Sequence, residues 1–177
     1  AKVGKWVIVN ALTDARLFFG LRDRALSVLK ALLSFHPEPE LTAGRNLVVF
    51  PSNRQLCDRA NGMTPATLRR HLAALVKAGF VIRRDSPNGK RYARKNGDGE
   101  IHHAFGFDLR PLLARAREFA AAAEAARQAR CELESAREAL TLLRRDVAKM
   151  IEAGHAASIP HDWRGEAERY AGLVRVI

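Results

Sequence analysis

Cysteine is nearly absent: the 177 residues hold only Cys57 and Cys131, in different predicted elements. No Cys-x-x-Cys pair and no Cys/His zinc spacing goes with them. That excludes a disulfide framework and suits a reduced, cytoplasmic setting. Long apolar runs are also missing. Nothing approaches the ~18 apolar residues of a membrane helix, and no signal-peptide pattern occurs, so no membrane role is expected. Catalytic signatures are missing as well. There is no Gly-x-Ser-x-Gly element and no carboxylate pair marked out for acid/base work. Asn88-Gly89 and Asp98-Gly99 do not open a helix carrying Lys-Ser/Thr, so no phosphate loop is indicated. His102 and His103 are neighbours on an expected strand and so face opposite ways, a poor start for a metal site. The expectation is a protein that is not an enzyme and needs no cofactor and no metal.

Acids are outnumbered: 30 Lys/Arg stand against 19 Asp/Glu, a net charge of +11 and a pI near 10.6. The excess is unevenly placed. Residues 1–110 hold 19 basic and 9 acidic residues (+10), and residues 111–177 hold 11 and 10 (+1). A surface for a polyanion therefore belongs to the first part. A hydrophobic content of 47% supports a real core and argues against global disorder. With no initiator Met ahead of Lys2-Val3-Gly4, an excised domain of a longer chain is expected.

The chain is organised around residues 52–95. Ser52 is an N-cap for a short helix that turns Leu56, Cys57 and Ala60 inward. Asn61-Gly62-Met63 makes a tight turn. Thr64 caps a second helix, with Pro65 at its first position, where no N–H is needed. Leu68, Leu72, Leu75 and Val76 give that helix one apolar stripe, and Gly79 suits its left-handed end. At 100° per residue, Ala66, Arg70, Ala74 and Lys77 point away from the stripe, Thr67 lies beside them, and Arg69 and His71 flank it.

An outward face of small residues plus arginine fits a DNA major groove. Arginine can bind guanine O6 and N7 together, and Ala or the Thr methyl can pack on the thymine methyl. Ala66, Thr67, Arg70 and Ala74 are the expected base contacts. Ser52, Asn53, Thr64, Arg69, His71 and Lys77 are the expected phosphate contacts. A solvated helix face is the plain alternative, but the context favours DNA: from Arg54 to Arg94 there are ten Lys/Arg and two acids, Asp58 and Asp85. Residues 80–84 and 90–95 flank the turn formers Asp85-Ser86-Pro87-Asn88-Gly89 and read as a basic hairpin, or wing. Its expected DNA contacts are Arg83, Arg84, Lys90, Arg91, Arg94 and Lys95. Tyr92 is expected to pack on the sheet.

Residues 5–18 read as a helix, although Trp6-Val7-Ile8-Val9 would also suit a strand. Residues 21–35 are a clear amphipathic helix, stopped by His36-Pro37, with His36 in an ordinary structural role. Residues 47–50 and 101–107 read as strands, with Asn96-Gly97-Asp98-Gly99 as a turn. Asp108 is expected to cap one long helix from Leu109 to Glu152, with apolar series suited either to packing back or to a homodimer through 109–152. Trp163, Ala167, Tyr170, Leu173 and Val174 belong to a short terminal helix, expected to pack on the long one as a hairpin. The expected fold is mainly α with a small antiparallel sheet (α+β): a winged helix-turn-helix domain over 1–108, then a helical part over 109–177.

Five runs carry a family resemblance: LSFHPE (33–38), VVFPSNRQL (48–56), GMTPATLRRHLAALVKAG (62–79), RRDSPNGKRYARK (83–95) and FGFDLRPLLARA (105–116). They resemble the N-terminal domain of RepC-type replication initiators of the repABC plasmids of alphaproteobacteria. The resemblance implies sequence-specific binding of double-stranded DNA at a plasmid origin, which in that family lies within the initiator's own coding region. It also implies a further C-terminal domain. The residues alone support two other readings: a winged-helix transcription regulator using the same surface, and a helical protein–protein module whose basic face is incidental.

Overall fold

A computed structural model describes residues 1–87, 91–95 and 101–176. The chain forms two compact units, Ala1–Arg127 and Gln128–Ile177. The expected division fell after Asp108; the core of the first unit continues through Leu109, Leu112, Leu113, Phe119 and Ala123.

The first unit opens with strand β1 (Lys2–Gly4) and helix α1 (Lys5–Asp14). The β-branched run after Lys5 is helical because helical spacing sends Ile8, Val9, Leu12 and Ala15 into the core. Trp6 and Val7 stay on the outside, about half and three-fifths exposed. Helix α2 (Asp23–Ser34) is amphipathic as expected and buries Ala25, Val28, Leu29, Leu32 and Leu33. Strand β2 (Glu40–Thr42) then pairs antiparallel with β1, placing Lys2 opposite Thr42. Lys5 is buried and donates from Nζ to the His36 carbonyl at 2.6 Å. His36 is buried too, its Nε2 3.2 Å from the Glu40 carbonyl.

Strand β3 (Val48–Val49), helix α3 (Asn53–Arg59) and helix α4 (Pro65–Lys77) follow. Strands β4 (Ile82–Arg84), β5 (Tyr92–Lys95) and β6 (Ile101–Asp108) complete the sheet. The expected pairing of 80–84 with 90–95 is corrected. Both segments pair antiparallel with β6, each along its own stretch: Arg83 faces Phe107, and Tyr92 faces Phe105. The pair formed by neighbouring strands here is therefore β5–β6. β3 also pairs with β6, as Val49 faces Phe107. Gly106 makes this close packing feasible, since a Cβ there would collide with the Val49 carbonyl oxygen.

The expected single helix from Leu109 is also corrected. A short helix α5 (Arg110–Ala114) ends at Arg115, and helix α6 (Ala116–Ala156) starts afresh. The break lets Phe119, fully buried, join Phe19 and Phe80 with ring centroids 5.3 and 5.9 Å away. The Arg115 guanidinium lies 5.1–5.8 Å from all three rings and pairs with Glu118.

The second unit consists of the later part of α6 and helix α7 (Trp163–Val176). The Tyr170 hydroxyl donates to the Arg144 carbonyl at 2.5 Å, and Trp163 packs against Gly154 so closely that no Cβ fits there. These contacts make the expected helical hairpin. Among its described residues only Gly154 is buried, and Leu133, Leu143 and Met150 are half or more exposed.

Candidate nucleic-acid interface

The site is built on α3 and α4. Ser52 accepts from the Gln55 backbone N–H, and Gln55 Oε1 accepts from the Ser52 N–H, a complete capping box. The turn after α3 is tight because Asn61 and Gly62 both take left-handed backbone, φ 60° and 68°. Thr64 then caps α4 by accepting from the Thr67 N–H, with Pro65 in the first turn. Gly79, at φ 70°, ends it.

Packing sets the rotation of α4. Leu68, Leu72 and Leu75 are buried, and the α4 stripe packs towards α2 and α3. Ala66, Arg69, Arg70, Ala74 and Lys77 are consequently exposed and Thr67 half-exposed. The four expected base contacts, Ala66, Thr67, Arg70 and Ala74, thus share one open face of α4.

Beside that face runs a groove of about 500 Å³, lined in part by Asn53, Arg69, Lys77, Arg83 and Arg91, with Phe107 in its floor. Four cations converge here, two from α4, Arg83 from β4 and Arg91 from just before β5. Arg91 is held in place: Nη1 donates to the Pro51 carbonyl at 2.9 Å, and the guanidinium sits 4.5 Å from the Phe107 ring. Burial, then the neighbouring Arg83, pushes its pKa below the usual arginine value. Arg83 pairs with Asp85 at 2.7 Å and stays half-exposed.

Three expectations change. His71 is buried, not flanking, because it falls on the α2 side of α4; its Nε2 has no hydrogen-bond partner among the described residues. That withdraws it from the expected phosphate contacts. Arg84 points to the opposite face of the sheet from Arg83, as alternate strand residues must, and pairs with the fully buried Asp108 at 2.9 Å. It is not part of the groove. The Ser52 and Thr64 hydroxyls are engaged as caps, although both residues are exposed. Lys90 and the side chains of Arg94 and Lys95 lie outside the described residues. Tyr92 packs on the sheet as expected, its ring 5.2 Å from that of Phe105.

Arg22 and Arg24 were not anticipated in the site. Arg24 lines a cleft with Asn61, Thr64 and Thr67. Both lie at the start of α2, which packs on α4, and no local sequence signal links them to residues forty positions away. Their field is felt at His71, whose pKa is lowered first by burial and then by Arg70, Arg24 and Arg22. A lowered histidine means that the unfolded chain takes up the proton first on acidification, so stability falls as pH drops through 6.5 toward the folded value. The melting temperature should therefore fall between pH 7.5 and 5.5. The fall should be smaller in His71→Leu, although His36, lowered mainly by burial, keeps part of it. An identical fall in the variant would show that His71 does not titrate in this way.

Among the described residues, no group of three His, Cys, Asp or Glu is placed to hold a metal, and no helix is long and apolar enough to cross a membrane.

Known proteins are similar to this chain in sequence. A replication protein C of Sinorhizobium fredii is 52% identical over 173 residues, covering 98% of this chain and 43% of that protein. Another from Rhizobium rhizogenes is 50% identical over 170 residues, covering 96% and 42%. The chain thus spans less than half the length of the curated relatives it matches. No solved structure matches it at a significant level. The model of the replication protein C N-terminal domain covers residues 1–155, and the chain belongs to that family.

Proposed function

We propose that this chain is the part of a plasmid replication initiator that reads double-stranded DNA at the origin, acting as a winged helix-turn-helix in the bacterial cytoplasm. One observation carries the reading. The exposed face of α4 combines Ala66, Arg70 and Ala74, which can enter a major groove, with an adjoining groove lined by four cations suited to the sugar–phosphate rail. On this reading the paired strands β5 and β6 serve as the wing. The family adds replication as the process that this binding serves. The chain acts by binding, without catalysis and without a cofactor.

Salt dependence tests the reading. Log affinity should fall linearly with log salt, by about 0.9 for each phosphate contact. Arg70→Ala should cost about 1–3 kcal/mol on the specific site and relax the preference at one base pair. A flat salt response would leave the protein-interaction reading in place of any DNA reading. Protection confined to a promoter, with plasmid copy number unchanged by its deletion, would favour a transcription regulator.

Self-association through 109–152 belongs to the same proposal. Leu133, Ala136, Leu140, Leu143, Val147 and Met150 follow one another at alternating steps of three and four, the spacing of a two-helix seam. Leu143 and Met150 are each more than three-fifths exposed. Sedimentation over a range of concentrations should show a dimer that Leu143→Glu weakens; a strict monomer throughout would reject it.

A further inference from the structure

On the face of the sheet opposite the α4 groove lies a second cavity, about 550 Å³, lined in part by Arg45, Asn46, Arg84, Ala104 and Arg110. Two of its arginines, Arg84 and Arg110, are held by Asp108, which is fully buried. Asp108 accepts from Arg84 Nε at 2.9 Å, from Arg110 Nε at 2.8 Å and from the Arg110 backbone N–H at 3.0 Å. One carboxylate thus fixes two guanidinium groups, neither of them spent on it completely. Arg84 Nη1 and Arg110 Nη1 make no hydrogen bond to Asp108, and the two side chains remain 43% and 57% exposed. A buried carboxylate that holds arginines by one edge leaves the other edge preset for an anion.

Arg45 adds a third guanidinium and forms no ion pair among the described residues. The cavity continues into a neighbouring one of about 510 Å³ that shares Gly44, Arg45, Leu47 and Arg110 and adds Arg117. Arg117 is likewise exposed and without an ion pair among the described residues. The result is a track from Arg84 through Arg110 and Arg45 to Arg117, with Asp85 on its rim already paired to Arg83. A track is the shape of a polyanion's rail rather than of a single small anion, and its four guanidinium groups are partners that phosphodiesters accept.

We propose that this track binds the backbone of a second DNA segment, so that the first unit holds two duplex segments, one on each face of its sheet. The proposal rests on α4 being the primary DNA surface, and the experiment separates the two claims. Binding of a labelled duplex is measured for the full chain, for Arg69→Ala/Arg70→Ala/Lys77→Ala, for Arg45→Glu/Arg117→Glu, and for the combination, with thermal melts as a check on folding. Capture of a second, differently labelled duplex is measured in parallel. Arg45 and Arg117 are exposed and outside the α4 face, so their replacement should keep the fold and the specific site.

The expected result has three parts. The α4 variant keeps a weak, salt-sensitive binding; the combined variant loses it by at least tenfold more; and Arg45→Glu/Arg117→Glu cuts capture of the second duplex by about tenfold while leaving the preference for the specific site. Unchanged capture and unchanged residual binding would overturn the track. So would a failure of the unmodified chain to hold any second duplex while pyrophosphate or a free nucleotide binds the track, since the site would then be one for a small phosphate. Full affinity in the α4 variant would instead sink the primary reading, a different outcome on a different variant.

Discussion

Replacing Arg69, Arg70 and Lys77 together by alanine is expected to lower affinity for the origin duplex on the order of 10³-fold near physiological salt. The figure combines two kinds of loss. Arg70, if bidentate on a guanine, accounts for about 1–3 kcal/mol, or about ten- to a hundredfold. Arg69 and Lys77 line the groove; as the proposed phosphate partners, each would take away counterion release when removed. The salt slope should therefore shrink by about two units, one for each phosphate contact. The fold should survive, because all three side chains are exposed and α4 is held by Leu68, Leu72 and Leu75 on its other side. Surface changes of this kind usually stay within about 0.5 kcal/mol of neutral. Electrophoretic mobility shifts across a salt series, beside a thermal melt, would check both halves. Affinity kept within threefold, with a full slope, would mean that DNA lies elsewhere.

The largest loss of stability is expected at Phe119. Its ring is fully buried between Phe19 and Phe80, and it attaches the start of α6 to the rest of the first unit. Phe119→Ala should cost about 3–5 kcal/mol, the sum of lost burial and a cavity that three elements cannot all close. Domains of this size are stable by only about 5–15 kcal/mol, so a melting temperature lower by at least about 10 °C is expected. Phe119→Leu should lose less, since it retains much of the volume. A loss under about 1 kcal/mol for the alanine variant, by denaturant titration, would show that Phe19, Phe80 and Arg115 can close over the gap.

Phe119 also marks where the sequence stopped being legible. Its place in an a/d-like series suggested a helix seam, and nothing local revealed that the helix breaks at Arg115 and turns the ring into the core. The helix-turn-helix was readable because its signals are local. Ser52 and Thr64 cap within three residues, Pro65 has no N–H to satisfy, and Gly79 takes a backbone angle that other residues resist. Strand pairing was not readable in the same way. The turn formers at 85–89 promised a simple hairpin, but partner choice is a long-range matter. The eight residues of β6 could accommodate β4 and β5 in succession.

The site divides along the same line. Arg70 and its small neighbours follow from the 3.6-residue period and stand where the period places them. His71, one position on, was put on a flank by that geometry, but α2 packs over it. Asp108 was expected to cap a helix. It does accept the Arg110 N–H, but its larger role, holding Arg84 from 24 residues away, depends on the register of β4 against β6. Arg22 and Arg24 enter the α4 neighbourhood only through the packing of α2.

Guanine-methylation interference on a duplex carrying the origin, with the unmodified chain and with Arg70→Ala, is the most direct test of major-groove reading by α4. The expected result is a small set of guanines whose N7 methylation blocks binding, with at least one dropping out of the set in the variant. An identical set for both proteins, or interference from phosphate modification alone, would contradict the assignment of Arg70 to a base edge.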